Sequence, residues 1–166
     1  MKYILGKTPK GCILCSKPAE KNDKKNFVLF RGKKCFVMMN IFPYNNGHLM
    51  IAPYRHIANL EEMSAEEKLE LMDVLSFSIK ILNKVIKPEG FNAGINFGRV
   101  SGAGIEDHLH LHLVPRWSGD TNFMPIIANT KVVSEGLEET YKRLIKEFKI
   151  YESYCPKIRR EFSGKC

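Results

Sequence analysis

No stretch of the chain approaches the roughly 18 consecutive apolar residues of a membrane span, so no transmembrane segment is expected. The opening "MKYILGKTPKGCILC" has too short an apolar run for a secretory signal, which makes the cytoplasm the expected location. Cysteine is scarce and odd in number, five residues without an export signal, and that argues against a disulfide framework. Internal repeats are missing, and no Pro/Gly/Ser-rich linker divides the 166 residues. One domain over 1–166 is therefore expected, with a basic tail from about residue 150. Acidic residues are also in deficit, 18 against 26 Lys and Arg, leaving a net charge of +8. That balance suits a protein that meets nucleotide phosphates or nucleic acid, and equally a lysine-rich solvated surface. The excess sits in "KNDKK", "RGKK" and the tail "PKIRREFSGKC".

What is present is organised around histidine. Only five occur, and three of them, His108, His110 and His112, alternate with Leu109, Leu111 and Leu113 in "IEDHLHLHLVPRW". On a strand this places all three imidazoles on one face and the leucines on the core face. A single zinc held by all three is disfavoured by spacing: the outer pair would lie roughly 13 Å apart, whereas ligands sit about 2 Å from the ion. Nucleophilic catalysis fits better, with a central imidazole attacking and its neighbours holding its tautomer and the substrate's charge. Cys12 and Cys15 form a lone C-x-x-C, so any zinc there needs two ligands from distant positions.

The remaining pattern predicts an α+β fold with an antiparallel sheet, one long helix and one shorter helix. A polar loop is expected from the C-x-x-C to about residue 25. Two strands are expected over 26–40 around "RGKK", and a third in "GHLMIAPYRHI" ending at Pro53. Ser64 and Glu67 form a capping box for a helix whose apolar stripe reads Leu71, Met72, Leu75, Ile79, Leu82 and Ile86, stopping before Pro88. "FNAGINFG" reads as a short strand, "RVSGAGIED" as a loop, the histidine strand as about 108–114, and a second helix as about Ser134 to Phe148.

"HLHLHLV" resembles the His-φ-His-φ-His-φ-φ signature of the histidine triad (HIT) superfamily, φ being apolar. "NIFPYNNGHLMIAPYRHI" and "GFNAGINFG" resemble that family's earlier strand and turn and its penultimate strand. The similarity covers about residues 10 to 130. "HLHLHLVPRWSGDTNFMP" looks most like the branch containing diadenosine tetraphosphate phosphorylases and hydrolases. The resemblance implies that His110 attacks an α-phosphorus to form a nucleotidyl-imidazole, that His112 contacts phosphoryl oxygens or the departing group, and that His48 is the fourth histidine beside the site.

The resemblance further implies that Asn40 hydrogen-bonds ribose hydroxyls, that Asn96 meets the phosphates, and that Gly98, Gly102 and Gly104 let backbone N–H groups approach them. Gly104 and Ile105 stand where many members carry Gln and Ser, a departure at the leaving group. Trp117, the single tryptophan, is a candidate to stack on a base or wall off the second nucleoside. In zinc-bearing relatives two N-terminal cysteines join two histidines, which here gives Cys12, Cys15, His56 and His108 as a closed structural zinc site. The implied activity is cleavage of a dinucleoside polyphosphate, with water or inorganic phosphate as acceptor, by a homodimer. The alternatives are a nucleoside phosphoramidate hydrolase, a triple-histidine zinc hydrolase, or a non-catalytic basic zinc module that binds nucleotides or nucleic acid.

Overall fold

The computed structural model describes residues 11–120 and 135–154. The basic segment from Lys157 to Lys165 and Ser134, the expected start of the second helix, lie outside these. Among the described residues no helix is long and apolar enough to cross a membrane.

Five strands form one antiparallel sheet: β1 Val28–Arg31, β2 Cys35–Met39, β3 Leu49–Pro53, β4 Gly90–Ile95 and β5 Leu111–Arg116. Their order is β1-β2-β3-β5-β4, every neighbouring pair being antiparallel. β2 and β3 are buried along their whole length because both sheet faces are covered. On one face Val37, Met39, Leu49, Ile51, Leu111 and Leu113 pack against two long helices, α3 (Ala65–Val85) and α4 (Leu137–Tyr154). On the other, Val28, Phe36, Met38, Met50 and Ala52 pack beneath Leu14 of α1 (Ile13–Ala19). Register puts His112 opposite Met50, and so on the α1 side, while Leu113 opposite Leu49 faces the helices.

The polar stretch after the C-x-x-C, expected to be a loop, is instead helical. α1 is held by burial of Leu14, 1% exposed, and α2 (Asp23–Asn26) is capped by the Asn22 side chain accepting from Lys25 N–H at 3.3 Å. A one-turn helix carries too few apolar residues for periodicity to reveal it. In α3 the capping box of Ser64 and Glu67 forms as expected, and Leu71, Leu75 and Leu82 are buried, but Met72 is 55% exposed. Val74, Phe77, Ser78 and Ile81 complete the buried stripe beyond Leu71, and Met72, about 100° round the helix from Leu71, faces solvent. α4 runs past the expected end at Phe148 because Tyr151 extends the stripe of Tyr141, Leu144 and Phe148, stacking on Phe77 at 4.7 Å between centroids. The segment after 150 therefore begins as helix and not as tail.

The β1–β2 turn depends on α3. Glu70 is 2% exposed, and its carboxylate accepts from Lys34 N–H at 2.9 Å and Cys35 N–H at 3.0 Å. Burial, with Glu70 and Glu67 nearby, pushes the Cys35 thiol up to about 12, so it stays a neutral core group. Removing the Glu70 carboxylate strands two backbone donors. We expect Glu70→Ala to lower the unfolding free energy by about 3 kcal/mol, read as a lower urea midpoint at unchanged slope.

Candidate active site

His108, Leu109 and His110 precede β5; the expected histidine strand begins its ladder only at Leu111. The three residues are held in place by other bonds. Leu109 N–H donates to Ile57 O, and His108 Nε2–H donates to Pro53 O at 2.9 Å. His110 Nδ1–H donates to His108 O at 2.8 Å. Because a carbonyl can only accept, His110 carries its proton on Nδ1 and presents an unprotonated Nε2. Burial lowers its pKa, partly offset by the carbonyl, so the imidazole is neutral near pH 7.

His48 and His112 form a second coupled unit. Tyr44 N–H donates to His48 Nδ1 at 3.0 Å, and Asn40 Nδ2 lies 3.4 Å from the same nitrogen. His48 Nδ1 is thus an acceptor, its Nε2 carries the proton, and that proton goes to His112 Nδ1 at 2.9 Å. The His112 proton then sits on Nε2. That N–H is buried and has no hydrogen-bond partner among the described residues, an arrangement that disfavours the free protein until an acceptor arrives. His110 and His112 meet edge to face with centroids 4.7 Å apart. Burial, followed by the neighbouring His110, pushes His112 down to about 4. The result is an uncharged, buried cluster with a nitrogen lone pair on His110 and an N–H donor on His112 that is unpaired among the described residues.

The other expected substrate residues divide. Asn40 and His48 are joined by Asn40 N–H to His48 O at 2.9 Å, which closes the β2–β3 loop. The Asn40 side-chain oxygen accepts from Phe42 N–H at 2.9 Å, so in this structure the amide shapes the loop. Ile95 pairs with Leu111 and packs toward the helices, and Asn96 follows it just beyond the end of the β4–β5 ladder. Gly98 and Gly102 take φ of 72° and 84°, left-handed values that suit glycine, and Gly104 is exposed in the same loop. Trp117 is not brought to the histidines. It follows the far end of β5, roughly 16 Å along the strand from His112, with its indole N–H on Lys87 O at 3.3 Å. The sequence reading missed Tyr44, whose ring lies over both His48 and His112; an aromatic four residues before a candidate histidine was the available signal.

The C-x-x-C acquires its distant partners. Cys12 Sγ lies 3.3 Å and Cys15 Sγ 3.4 Å from His108 Nδ1, and His56 Nδ1 lies 3.4 Å from Cys15 Sγ and 3.3 Å from His108 Nδ1. All four ligand atoms fall within 4.8 Å of one another. Tetrahedral zinc would separate N from N by about 3.3 Å and S from N by about 3.6 Å, so the donor set fits such an ion. His108 suits it further, since the Pro53 carbonyl holds its other nitrogen as N–H and turns the Nδ1 lone pair toward the cysteines. Burial and the adjacent Cys12 push the Cys15 thiol up, a penalty that a bound cation reverses.

Fold and site together define an α+β protein whose alternating histidines are split between a sulfur-and-imidazole set suited to a metal and a buried, neutral imidazole cluster. The HIT domain family model matches residues 21–119, and the chain belongs to that family. It is 41% identical over 127 residues to the AP-4-A phosphorylase of Mycobacterium tuberculosis, a match over 76% of this chain and 65% of that protein. The chain thus spans less than two thirds of that relative. It is 30% identical over 116 residues to adenosine 5'-monophosphoramidase hnt1 of Schizosaccharomyces pombe, covering 70% of this chain and 75% of that protein. Its fold matches a Zn-bound histidine triad family protein from Mycobacterium smegmatis with TM-score 0.67 at 19% identity, over 87% of this chain and 97% of that one.

The lowered pKa of His112 has a consequence for stability. Above the unfolded value near 6.5 both states are neutral there. As pH falls from 6.5 toward 4 only the unfolded state takes the proton, so stability is lost across that window. The expected loss from this residue reaches about 3 kcal/mol at most. Urea midpoints at pH 7.5 and 4.5 should therefore separate further in the native protein than in His112→Asn.

Proposed function

We propose that the chain is a cytoplasmic enzyme that cleaves dinucleoside polyphosphates at an α-phosphate by way of a nucleotidyl-His110 intermediate, with inorganic phosphate as the preferred acceptor. The observation that supports this reading is the bond from His110 Nδ1–H to His108 O, which leaves the Nε2 lone pair free beside the unpartnered Nε2–H of His112. In the first step Nε2 forms a bond to the α-phosphorus, and the bond from phosphorus to the bridging oxygen breaks, releasing the nucleoside polyphosphate as an anion. In the second, a phosphate oxygen attacks the same phosphorus and the N–P bond breaks, restoring neutral His110. From diadenosine tetraphosphate the products are ATP and ADP. His112 donates its Nε2–H to a phosphoryl or bridging oxygen where charge builds. His48 fixes that proton's location.

Asn96 and the backbone at Gly104 bind phosphate oxygens in this reading, Asn40 turns toward the ribose once substrate displaces its loop bond, and Trp117 bounds the second nucleoside. Cys12, Cys15, His56 and His108 hold a structural zinc, a set with no open position for chemistry. A homodimer is proposed as well. Cleavage of an adenosine phosphoramidate is the second reading, favoured by the similarity to a monophosphoramidase; the same nucleophile serves it, with an amine as leaving group.

Incubation with diadenosine tetraphosphate, with and without phosphate, separates these readings. Equal ATP and ADP that require phosphate are expected, and His110→Asn should lose at least about 10³-fold in turnover. Products independent of phosphate would make the enzyme a hydrolase, and turnover of a phosphoramidate alone would favour the second reading. For the metal, elemental analysis should find one zinc per chain. Cys12→Ser should lower both zinc content and the unfolding temperature, because the ion ties α1 to the segment carrying His108.

A further inference from the structure

Tyr44 sits in the β2–β3 loop with its ring over two buried imidazoles. Its centroid is 4.7 Å from that of His48, tilted by 36°, and 5.7 Å from that of His112, stacked at 25°. His48 is fully buried and His112 is 9% exposed, whereas Tyr44 itself is 50% exposed. One face of the ring therefore lies on the histidines and the other meets solvent. The same residue's backbone N–H fixes the His48 tautomer.

On its other sides His112 has less cover. Its cross-strand neighbours are Met50 on β3 and Gly94 on β4. Gly94 has no side chain, and nothing lies within 4 Å of where a Cβ would stand. The titratable groups facing His112 are His48, His110 and Tyr44; Met50 and Gly94 bring no charge. The chain of bonds from Tyr44 N–H through His48 to His112 requires His112 Nδ1 to accept. Water reaching that pair would compete for the acceptor, and a protonated His112 would set two N–H groups against each other.

We infer that Tyr44 is a positioning residue, its ring holding the His48–His112 pair dry and in register so that the His112 proton stays on Nε2 for an oxygen of the substrate. The role rests on the proposed phosphoryl-transfer reading, but the state of His112 can be read without turnover. The hydroxyl is not needed for it; the aromatic face is. Substituting the side chain leaves the backbone N–H in place, so the ring's contribution is isolated.

The test compares Tyr44→Ala and Tyr44→Phe with the native protein by kinetics on diadenosine tetraphosphate with phosphate and by ¹⁵N–¹H spectra of the histidine rings. Tyr44→Ala is expected to lose about tenfold or more in kcat with KM changed by less than about twofold. Its His112 should show a mixed tautomer and titrate closer to 6.5, which adds an acid limb to the pH profile of kcat. Tyr44→Phe should stay within about twofold of native kcat and keep the Nε2–H tautomer. Native kcat in Tyr44→Ala, or a loss in KM alone with the His112 spectrum unchanged, would overturn the inference; the second result would make Tyr44 a substrate contact. If the native protein turns over no dinucleoside polyphosphate, the functional reading fails while the spectra still decide: an unchanged His112 in Tyr44→Ala rejects the positioning role. Should Tyr44→Ala fail to fold, Tyr44→Leu keeps the bulk, removes the aromatic face and is read the same way.

Discussion

His108 is the residue on which the site depends, because it is committed in three directions at once. Its Nδ1 faces Cys12, Cys15 and His56, its Nε2–H is spent on the Pro53 carbonyl, and its own carbonyl receives the His110 Nδ1–H. One residue therefore supplies both a ring nitrogen to the sulfurs and a carbonyl to His110. A shift of the His108 backbone that disturbed the metal set would also move the acceptor that keeps His110 unprotonated on Nε2. The bond from Leu109 N–H to Ile57 O pins the peptide between them.

The histidine cluster is shaped by burial more than by charge. His110 and His112 both have lowered pKa values, with desolvation the leading cause in each, so near neutral pH the cluster carries lone pairs and N–H donors and no charge. In the proposed reaction a neutral His110 avoids the loss of lone pair that protonation brings, and a neutral His112 donor still stabilises charge that develops on a phosphoryl oxygen. The His112 N–H, unpaired among the described residues, is a cost to the free protein.

The loop carrying Tyr44 and His48 is held from two sides. The Asn45 side chain donates to Pro115 O and to Asp120, which itself pairs with Arg116 at the end of β5. The Asn46 side-chain oxygen accepts from the buried Thr140 hydroxyl on α4 at 2.9 Å. These contacts tie the loop to the strand that follows the histidines and to the helix layer, so the rings above His112 are set by tertiary struts.

Much of this was legible from the chain alone. Strict alternation of His and Leu placed Leu109, Leu111 and Leu113 in the core, the capping box started α3, and the triad with its flanking strands indicated the family, since period and spacing are local properties of sequence. Local reading could not find α1, whose few residues are helical where Leu14 rests on the sheet, or α2, a single turn capped by Asn22. It also put Met72 on the buried stripe and ended α4 too early, because which edge of a stripe is covered depends on the neighbour it meets. The identities of the four metal-set residues were suggested by family pattern, but their convergence to within 4.8 Å is a fact of folding across 96 positions of sequence separation. The tautomers of His48, His110 and His112 were decided only in three dimensions, because a ring proton's position is set by the acceptor or donor that the fold brings to it.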